Sequence, residues 1–162
     1  MSFNTRNGTR GARQPQTGPM MWLLNRFMSG RIRKDKKLMG GMNALILTTI
    51  GKKSGTARSN PVGWFPAARG GWLIVASASG AARNPAWYYN IAAHPDRVKI
   101  EIGQRVIPVR AEQLHGDERE RAWRQISGSA PRFAEYAKKT DRELPVILLT
   151  ERQDPSAEGT DQ

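Results

Sequence analysis

Residues 44–65 read ALILTTIGKKSGTARSNPVGWF, and this stretch decides the fold of the chain. The apolar, β-branched run 44–50 predicts a strand, and residues 59–66 predict a second one. Between them, residues 51–55 (GKKSG, the cationic turn) form a tight loop whose backbone N–H groups can face an anion. Arg58 can bind a phosphate or carboxylate with two hydrogen bonds. An ordinary solvent-exposed hairpin turn is the alternative interpretation.

Composition limits the chemistry that this protein can perform. Its 162 residues are enough for one domain with a real core. There is no cysteine, which excludes disulfides, thiolate metal sites and a cysteine nucleophile. His94 and His115 are the only imidazoles and are not accompanied by a carboxylate cluster of metal-ligand spacing, so no metal site is expected. Redox chemistry would therefore need a bound organic cofactor.

The formal net charge of +12 predicts an anionic partner: nucleic acid, an acidic membrane face or a polyanionic small molecule. No apolar run reaches the roughly 20 residues that a membrane span requires. The first residues lack the apolar segment of a secretory signal. We therefore expect a cytoplasmic protein.

Four regions follow one another along the chain. Residues 1–19 predict a disordered leader, because they are polar and show no periodicity. Residues 20–40 predict an amphipathic helix followed by a basic segment, and this helix either lies on an anionic membrane or packs on its own domain. Residues 43–150 form the predicted barrel domain, and residues 151–162 a loose tail.

The predicted elements favour a mostly antiparallel β-barrel with added helices, an α+β fold. Strands are expected at 44–50, 59–66, 71–77, 97–102, 105–112 and 143–149, and helices are expected from 84, 117 and 131 onward. Asn84 and Asp117 are the predicted helix caps. A Rossmann fold does not fit, because no G-x-G-x-x-G follows the first strand.

A second candidate site element is the segment 76–85, which reads ASASGAARNP and which we call the small-residue loop. Its small side chains allow a flat ligand to approach the backbone, and the helix that follows favours negative charge at its start. Trp87 either lines the binding site of a ligand's ring system or packs in the protein core. Together with the cationic turn, this loop suits a long ligand with a planar head and an anionic tail.

Three ordered motifs resemble signatures of the deazaflavin-dependent nitroreductase family. They are ILTTIGKKSG (46–55) with Arg58 and 60–62, NPAWYYNI (84–91) with Ala93 and Pro95, and Tyr136 with TDR (140–142) and 145–146. The resemblance covers roughly residues 43–149. It implies a split β-barrel, similar to FMN-binding barrels, that binds reduced coenzyme F420. It also implies hydride transfer from that cofactor to quinones, nitroaromatics or activated enones.

The resemblance also implies which residues act. The cofactor-binding set is Lys52, Lys53, Ser54, Arg58, Asn60, Pro61, Val62, Gly63, Ala76, Ser77, Ala78, Trp87 and Asn90. The substrate-binding set is Trp22, Trp87, Phe133 and Tyr136. The hydroxyls of Ser77 and Tyr136 are the predicted catalytic groups, because they can stabilise or protonate the oxyanion of a reduced quinone or enone. Core packing is the alternative role for Tyr136.

The sequence departs from its relatives at two places. Ser79 replaces one glycine of a pair in the small-residue loop, and the region near Tyr136 carries fewer hydroxyls. We therefore expect a wider substrate mouth, which puts activity on bicyclic nitroimidazoles in doubt. Two other functions stay open: a single-stranded nucleic-acid-binding barrel, which we do not expect, and an FMN or haem binder on the same fold. Peripheral attachment to the inner face of the cell membrane is a further expectation.

Overall fold

A computed structural model of the chain describes residues 3–12 and 43–152. Its strands are β1 (Ala44–Ile50), β2 (Ala57–Gly63), β3 (Phe65–Pro66), β4 (Trp72–Val75), β5 (Val98–Ile102), β6 (Arg105–Gln113) and β7 (Val146–Glu151). Its helices are a 3-10 helix (Ala78–Gly80), α1 (Ala86–Ala93), α2 (Gly116–Ser129) and α3 (Pro131–Lys139). Within this part of the chain, no helix is long and apolar enough to cross a membrane.

The strands form one sheet in the order β2-β1-β5-β6-β7-β4-β3, and every neighbouring pair is antiparallel. The two edge strands, β2 and β3, are separated in sequence by Trp64 alone. Both edges of the sheet therefore meet at this residue, and the sheet has to curl into an open barrel. This confirms the predicted barrel with added helices.

Strand alternation gives the sheet two apolar faces. On the inner face, Leu45 and Leu47 of β1 pack with Tyr88 and Ile91 of α1 in the barrel core. On the outer face, β4 and β7 are covered by α2 and α3 in a second core. Helices α2 and α3 thus form a second layer on one side of the barrel. Helix α1 instead packs into the barrel core.

One end of the barrel collects most of the candidate residues. Because neighbouring strands alternate in direction, the C-terminal ends of β1, β4 and β6 lie at the same end as the first residues of β5 and β7. The cationic turn follows β1, and the small-residue loop follows β4. We call this end of the barrel the site end.

Several predicted boundaries and caps differ from the structure. β2 begins at Ala57 rather than 59, and the chain leaves the sheet at Trp64 before β3. The tail was expected from residue 151, which is the last residue of β7. Neither predicted cap is formed: α1 begins after Pro85 and α2 after His115, without side-chain cap hydrogen bonds. The Asn84 side chain is unavailable because it bonds to Arg142 and to the carbonyl of residue 5.

The prediction of a disordered leader does not describe residues 3–12, which we call the N-terminal segment. Phe3 packs edge-on against Tyr88 with ring centroids 5.9 Å apart, and the Thr5 N–H donates to the Tyr88 hydroxyl at 3.0 Å. These partners are distant in sequence, so local composition did not reveal them. The predicted helix over 20–40, with Trp22, lies outside the described residues, as does the chain beyond 152.

Gly70 and Gly71 offer a direct test of the β3–β4 hairpin, whose predicted turn at 67–71 is confirmed. Both have φ near +90°, but a Cβ at Gly71 would lie 2.3 Å from the Leu149 carbonyl oxygen, whereas Gly70 faces open space. We expect Gly70→Ala to lower the free energy of unfolding by about 1–2 kcal/mol through backbone strain. Gly71→Ala should lower the free energy of unfolding by about 1–3 kcal/mol more than Gly70→Ala does, because the added Cβ also displaces β7. Urea unfolding measures both, and equal losses would contradict the hairpin geometry.

Candidate active site

The cationic turn is held by its own backbone. The Gly51 N–H donates to the Thr56 carbonyl at 2.8 Å, and the Gly55 N–H donates to the Gly51 carbonyl at 2.9 Å. The Ser54 hydroxyl lies 2.7 Å from the Thr56 hydroxyl and accepts from the Thr56 N–H at 3.2 Å. Ser54, a predicted cofactor residue, therefore uses its hydroxyl within the turn.

Asn90 of α1 fixes the position of this turn relative to the barrel. Its side-chain oxygen accepts from the Lys52 N–H at 3.0 Å, and its side-chain nitrogen donates to the Thr49 hydroxyl at 3.1 Å. Thr49 is fully buried. Asn90 was predicted to contact the cofactor; in this structure its oxygen binds the turn and its nitrogen binds the end of β1.

Three cations at the site end have no counter-ion in residues 3–12 and 43–152. Lys52, Lys53 and Arg58 are exposed, and no carboxylate among the described residues pairs with them. Other surface arginines do have such partners; for example, Arg110 bonds to Asp96 at 3.3 Å. The unpaired charges favour an anion at the cationic turn.

The register of β2 separates its predicted cofactor residues into two groups. Arg58, Asn60 and Val62 pair with the residues of β1 that face the barrel core. Pro61 and Gly63 alternate with them and therefore lie on the opposite face. β2 thus presents one cation, one amide and one apolar side chain on the core-facing side.

The small-residue loop contains an unusual backbone conformation. Ala78 and Ser79 have φ of +46° and +55°, and Gly80 follows with +81°. Left-handed conformations of non-glycine residues cost about 1–2 kcal/mol each and concentrate at functional sites. A Cβ at Gly80 would lie 2.7 Å from the Tyr136 carbonyl oxygen, so α3 packs directly on this loop. Surrounding contacts must hold the strained residues in place.

Arg142 provides the largest of these contacts. Its guanidinium donates to the carbonyls of Ala76 (2.9 Å), Ser77 (2.7 Å) and Ala81 (3.1 Å), and to the Asn84 side-chain oxygen (2.6 Å). The residue is only 4% exposed. Four acceptors of the small-residue loop are therefore turned toward one buried cation.

Burial lowers the pKa of the Arg142 guanidinium, and the neighbouring tyrosines partly oppose this shift. Arginine nevertheless stays protonated in proteins, so the loop surrounds a full positive charge. Hydrogen bonds to charged groups are worth about 1.5–3 kcal/mol each. Sequence reasoning noted Arg142 only as part of a motif and missed this role. The signal was a charged residue two positions before the apolar run 144–149, which continues into β7.

The hydroxyls of the two predicted catalytic residues differ in their hydrogen bonding from those of the tyrosines in α1. The Tyr88 hydroxyl donates to Gln113 at 2.7 Å, and the Tyr89 hydroxyl donates to Asn7 at 2.8 Å. By contrast, the hydroxyls of Ser77 and Tyr136 have no partner among the described residues. Ser77 and Tyr136 belong to neighbouring elements, because α3 packs on the small-residue loop.

The predicted aromatic residues have different surroundings. Tyr136 is half-buried, with its ring 5.7 Å from that of Phe133 and the Lys139 ammonium 5.8 Å from its centroid. Phe133 is 7% exposed in the second core, and Trp87 is 8% exposed in the barrel core with Ala76. Trp87 and Phe133 can therefore offer a ligand little more than an edge.

No group of three or more metal-ligating side chains occurs in residues 3–12 and 43–152. The donor set of the site end is made of cations, backbone groups and hydroxyls. Such a set suits an anionic organic ligand.

Arg142→Met should lower the free energy of unfolding by about 3 kcal/mol or more, because it leaves buried carbonyls without a donor. Arg132→Met on the exposed side of α3 is the matched control and should change stability by about 0.5 kcal/mol or less. Denaturant unfolding of both variants measures the difference. An Arg142→Met variant as stable as the control would show that this guanidinium does not hold the loop.

Comparison with known proteins identifies the family. The family model described as F420H(2)-dependent quinone reductase matches residues 24–151. A protein of Mycobacterium tuberculosis (strain H37Rv) named F420H(2)-dependent quinone reductase is 36% identical over 132 residues, which cover 78% of this chain and 85% of that protein. The solved structure of an F420-H2 dependent reductase, FDR-A, is 37% identical with a TM-score of 0.59, and the match covers 66% of this chain and 93% of that one. The chain belongs to the F420H(2)-dependent quinone reductase family.

Proposed function

We propose that this protein reduces quinones with coenzyme F420H2 at the site end of the barrel. The observation that carries the assignment to this site is the pairing of two features there. Cations that form no ion pair with any described residue lie at the cationic turn, and the hydroxyls of Ser77 and Tyr136, also without a described partner, lie in and beside the small-residue loop. The family is F420H2-dependent, and both features match what that cofactor requires.

The residues of the site end fit the chemical parts of the cofactor. Its phosphate and oligoglutamate tail are anionic, and Lys52, Lys53 and Arg58 would hold them by charge-assisted hydrogen bonds. Its flat ring would lie on the small-residue loop at Ser77 and Ala78, where side chains are small. When bound, the reduced deazaflavin supplies the hydride.

The protein's own contribution is orientation and control of charge. A quinone that accepts a hydride needs one proton to become a hydroquinone, and negative charge develops on its oxygen before that proton arrives. The hydroxyls of Ser77 and Tyr136 would donate hydrogen bonds to this oxygen, and Tyr136 would pass on the proton. The loop carbonyls are turned toward Arg142 and so do not oppose this charge.

Two alternatives are not favoured. A nucleic-acid-binding barrel and an FMN or haem binder are the other two functions, and the family assignment points to F420 instead. Nitroaromatics and activated enones, by contrast, are reducible by the same hydride and stay within the proposal as further acceptors.

A membrane surface as the place of quinone reduction also stays a proposal. It depends on residues 20–37, which lie outside the described residues. Deleting the entire N-terminus would also remove the N-terminal segment that packs on the barrel. Replacing Leu23, Leu24 and Phe27 by Gln would instead test liposome binding with that segment intact.

The double variant Lys52→Ala/Lys53→Ala should raise the Kd for F420 about tenfold at low salt, which corresponds to about 1.4 kcal/mol. Thermal stability should hardly change, because exposed cations contribute little to it. Fluorescence titration of F420 measures the affinity. The control Arg105→Ala/Arg121→Ala removes the same charge from exposed positions of β6 and α2. Equal affinities for the two double variants would place the anionic tail elsewhere.

Tyr136→Phe should keep the F420 affinity and lower kcat for quinone reduction about tenfold to a hundredfold, because one donor to the developing charge is lost. Ser77→Ala should act in the same direction. Steady-state oxidation of F420H2 with a menaquinone analogue measures kcat, and the fluorescence titration checks affinity. Full activity of both variants would leave water or the cofactor as the proton source and would assign Tyr136 a packing role.

A further inference from the structure

The N-terminal segment (residues 3–12) pairs with the small-residue loop. The Gly8 N–H donates to the Ala82 carbonyl at 2.7 Å, and the Ala12 N–H donates to the Gly80 carbonyl at 2.9 Å. Ala12 and Ala81 form a parallel bridge. The segment thus lies along the residues that directly follow the strained pair at 78–79.

This contact requires glycine at two positions of the segment. A Cβ at Gly11 would lie 2.4 Å from the Ala82 nitrogen and 2.7 Å from the Gly80 carbonyl oxygen, which are both rigid backbone atoms. A Cβ at Gly8 would lie 2.5 Å from the Asp141 carboxylate and 2.9 Å from the Arg142 nitrogen. Two backbones in such close contact form a specific docking site rather than a loose association.

Asp141 anchors the segment from the other side. Its carboxylate accepts hydrogen bonds from the Thr9 N–H (2.7 Å), the Thr9 hydroxyl and the Arg10 N–H (3.2 Å). The Thr140 hydroxyl donates to the Arg10 carbonyl at 2.7 Å. The bonds from Thr9 lower the pKa of Asp141 to about 2, so the anchor is ionised at neutral pH.

The segment is also tied to the start of α1. The Asn84 side chain donates to the Thr5 carbonyl at 3.1 Å, while its oxygen accepts from Arg142 at 2.6 Å. Gln113 donates to the Thr5 hydroxyl at 2.7 Å. The small-residue loop is therefore held from inside by Arg142 and from outside by the N-terminal segment.

We propose that the N-terminal segment is a positioning element of the active site, with Gly11 and Asp141 as its positioning residues. It holds Ser77 and Ala78 in the geometry needed for hydride transfer and so sets the turnover rate. It does not set the affinity for the anionic tail, because none of its described contacts reaches the cationic turn. This inference rests on the proposed function.

Gly11→Ala and Asp141→Asn test the proposal in the full-length protein. Gly128→Ala is the matched control, because its Cβ would face open space on α2. In the cofactor-free protein, we expect faster amide hydrogen exchange in peptides covering residues 76–85 for both test variants. In the assay, we expect kcat to fall about tenfold to a hundredfold, as small misplacements of reacting groups do. The Kd for F420 should stay within about twofold of the wild-type value, since the charge-assisted contacts to the tail are unchanged.

Asp141 is exposed, so Asp141→Asn keeps the test valid if Gly11→Ala fails to fold. Unchanged exchange and unchanged kcat in Asp141→Asn would overturn the proposal. A loss of F420 affinity as large as the loss of kcat would also overturn it, because the segment would then only support the fold. A wild-type protein that does not oxidise F420H2 with quinones would instead reject the proposed function, and hydrogen exchange would still report whether the segment fixes the loop.

Discussion

One buried positive charge organises the site end of this barrel. Arg142 draws three backbone carbonyls and one amide oxygen of the small-residue loop toward itself. Because the loop carbonyls point inward, the small side chains of the loop and the Ser77 hydroxyl take no part in these bonds. This arrangement requires left-handed backbone conformations at Ala78 and Ser79, which are strained. The strained conformations persist because hydrogen bonds from the Arg142 guanidinium on one side and from the N-terminal segment on the other hold the loop in place.

Helix α1 connects this loop to the cationic turn. Asn84 precedes the helix and bonds to Arg142, and Asn90 in its last turn bonds to the backbone of Lys52. Trp87 and Tyr88 bury the same helix in the barrel core. The distance between the cationic turn and the small-residue loop is thus set by a packed helix.

Much of the fold followed from local pattern. The alternating strands, the hairpin at 67–71, the start of α3 at Pro131 and the position of the cationic turn are all encoded by neighbouring residues. The family resemblance, now supported by comparison with known proteins, correctly implied the barrel and the cofactor. The predicted binding residues stay predictions, and their contacts in the structure differ. Lys52, Lys53 and Arg58 have no ion pair within the described part of the chain, whereas Asn90 and Ser54 are occupied by structural bonds.

What the sequence did not reveal depends on contacts between distant residues. Asn84 matched the pattern of a helix cap. Its side-chain oxygen instead accepts a hydrogen bond from Arg142, which lies 58 positions away in sequence. The N-terminal segment matched the composition of a disordered leader, but Thr5 bonds to Tyr88, which lies 83 positions away. Propensity and periodicity carry no information about such pairs. The close glycine contacts of Gly8 and Gly11 are visible only once both backbones are placed.

A crystal structure of the complex with F420 tests the central claim most directly. The account predicts that the phosphate and the first glutamates lie within hydrogen-bonding distance of Lys52, Lys53 or Arg58. It also predicts that the deazaflavin ring lies against residues 77–78, with the Tyr136 hydroxyl facing the acceptor side. A tail bound away from the cationic turn, or a ring bound away from the small-residue loop, would contradict it.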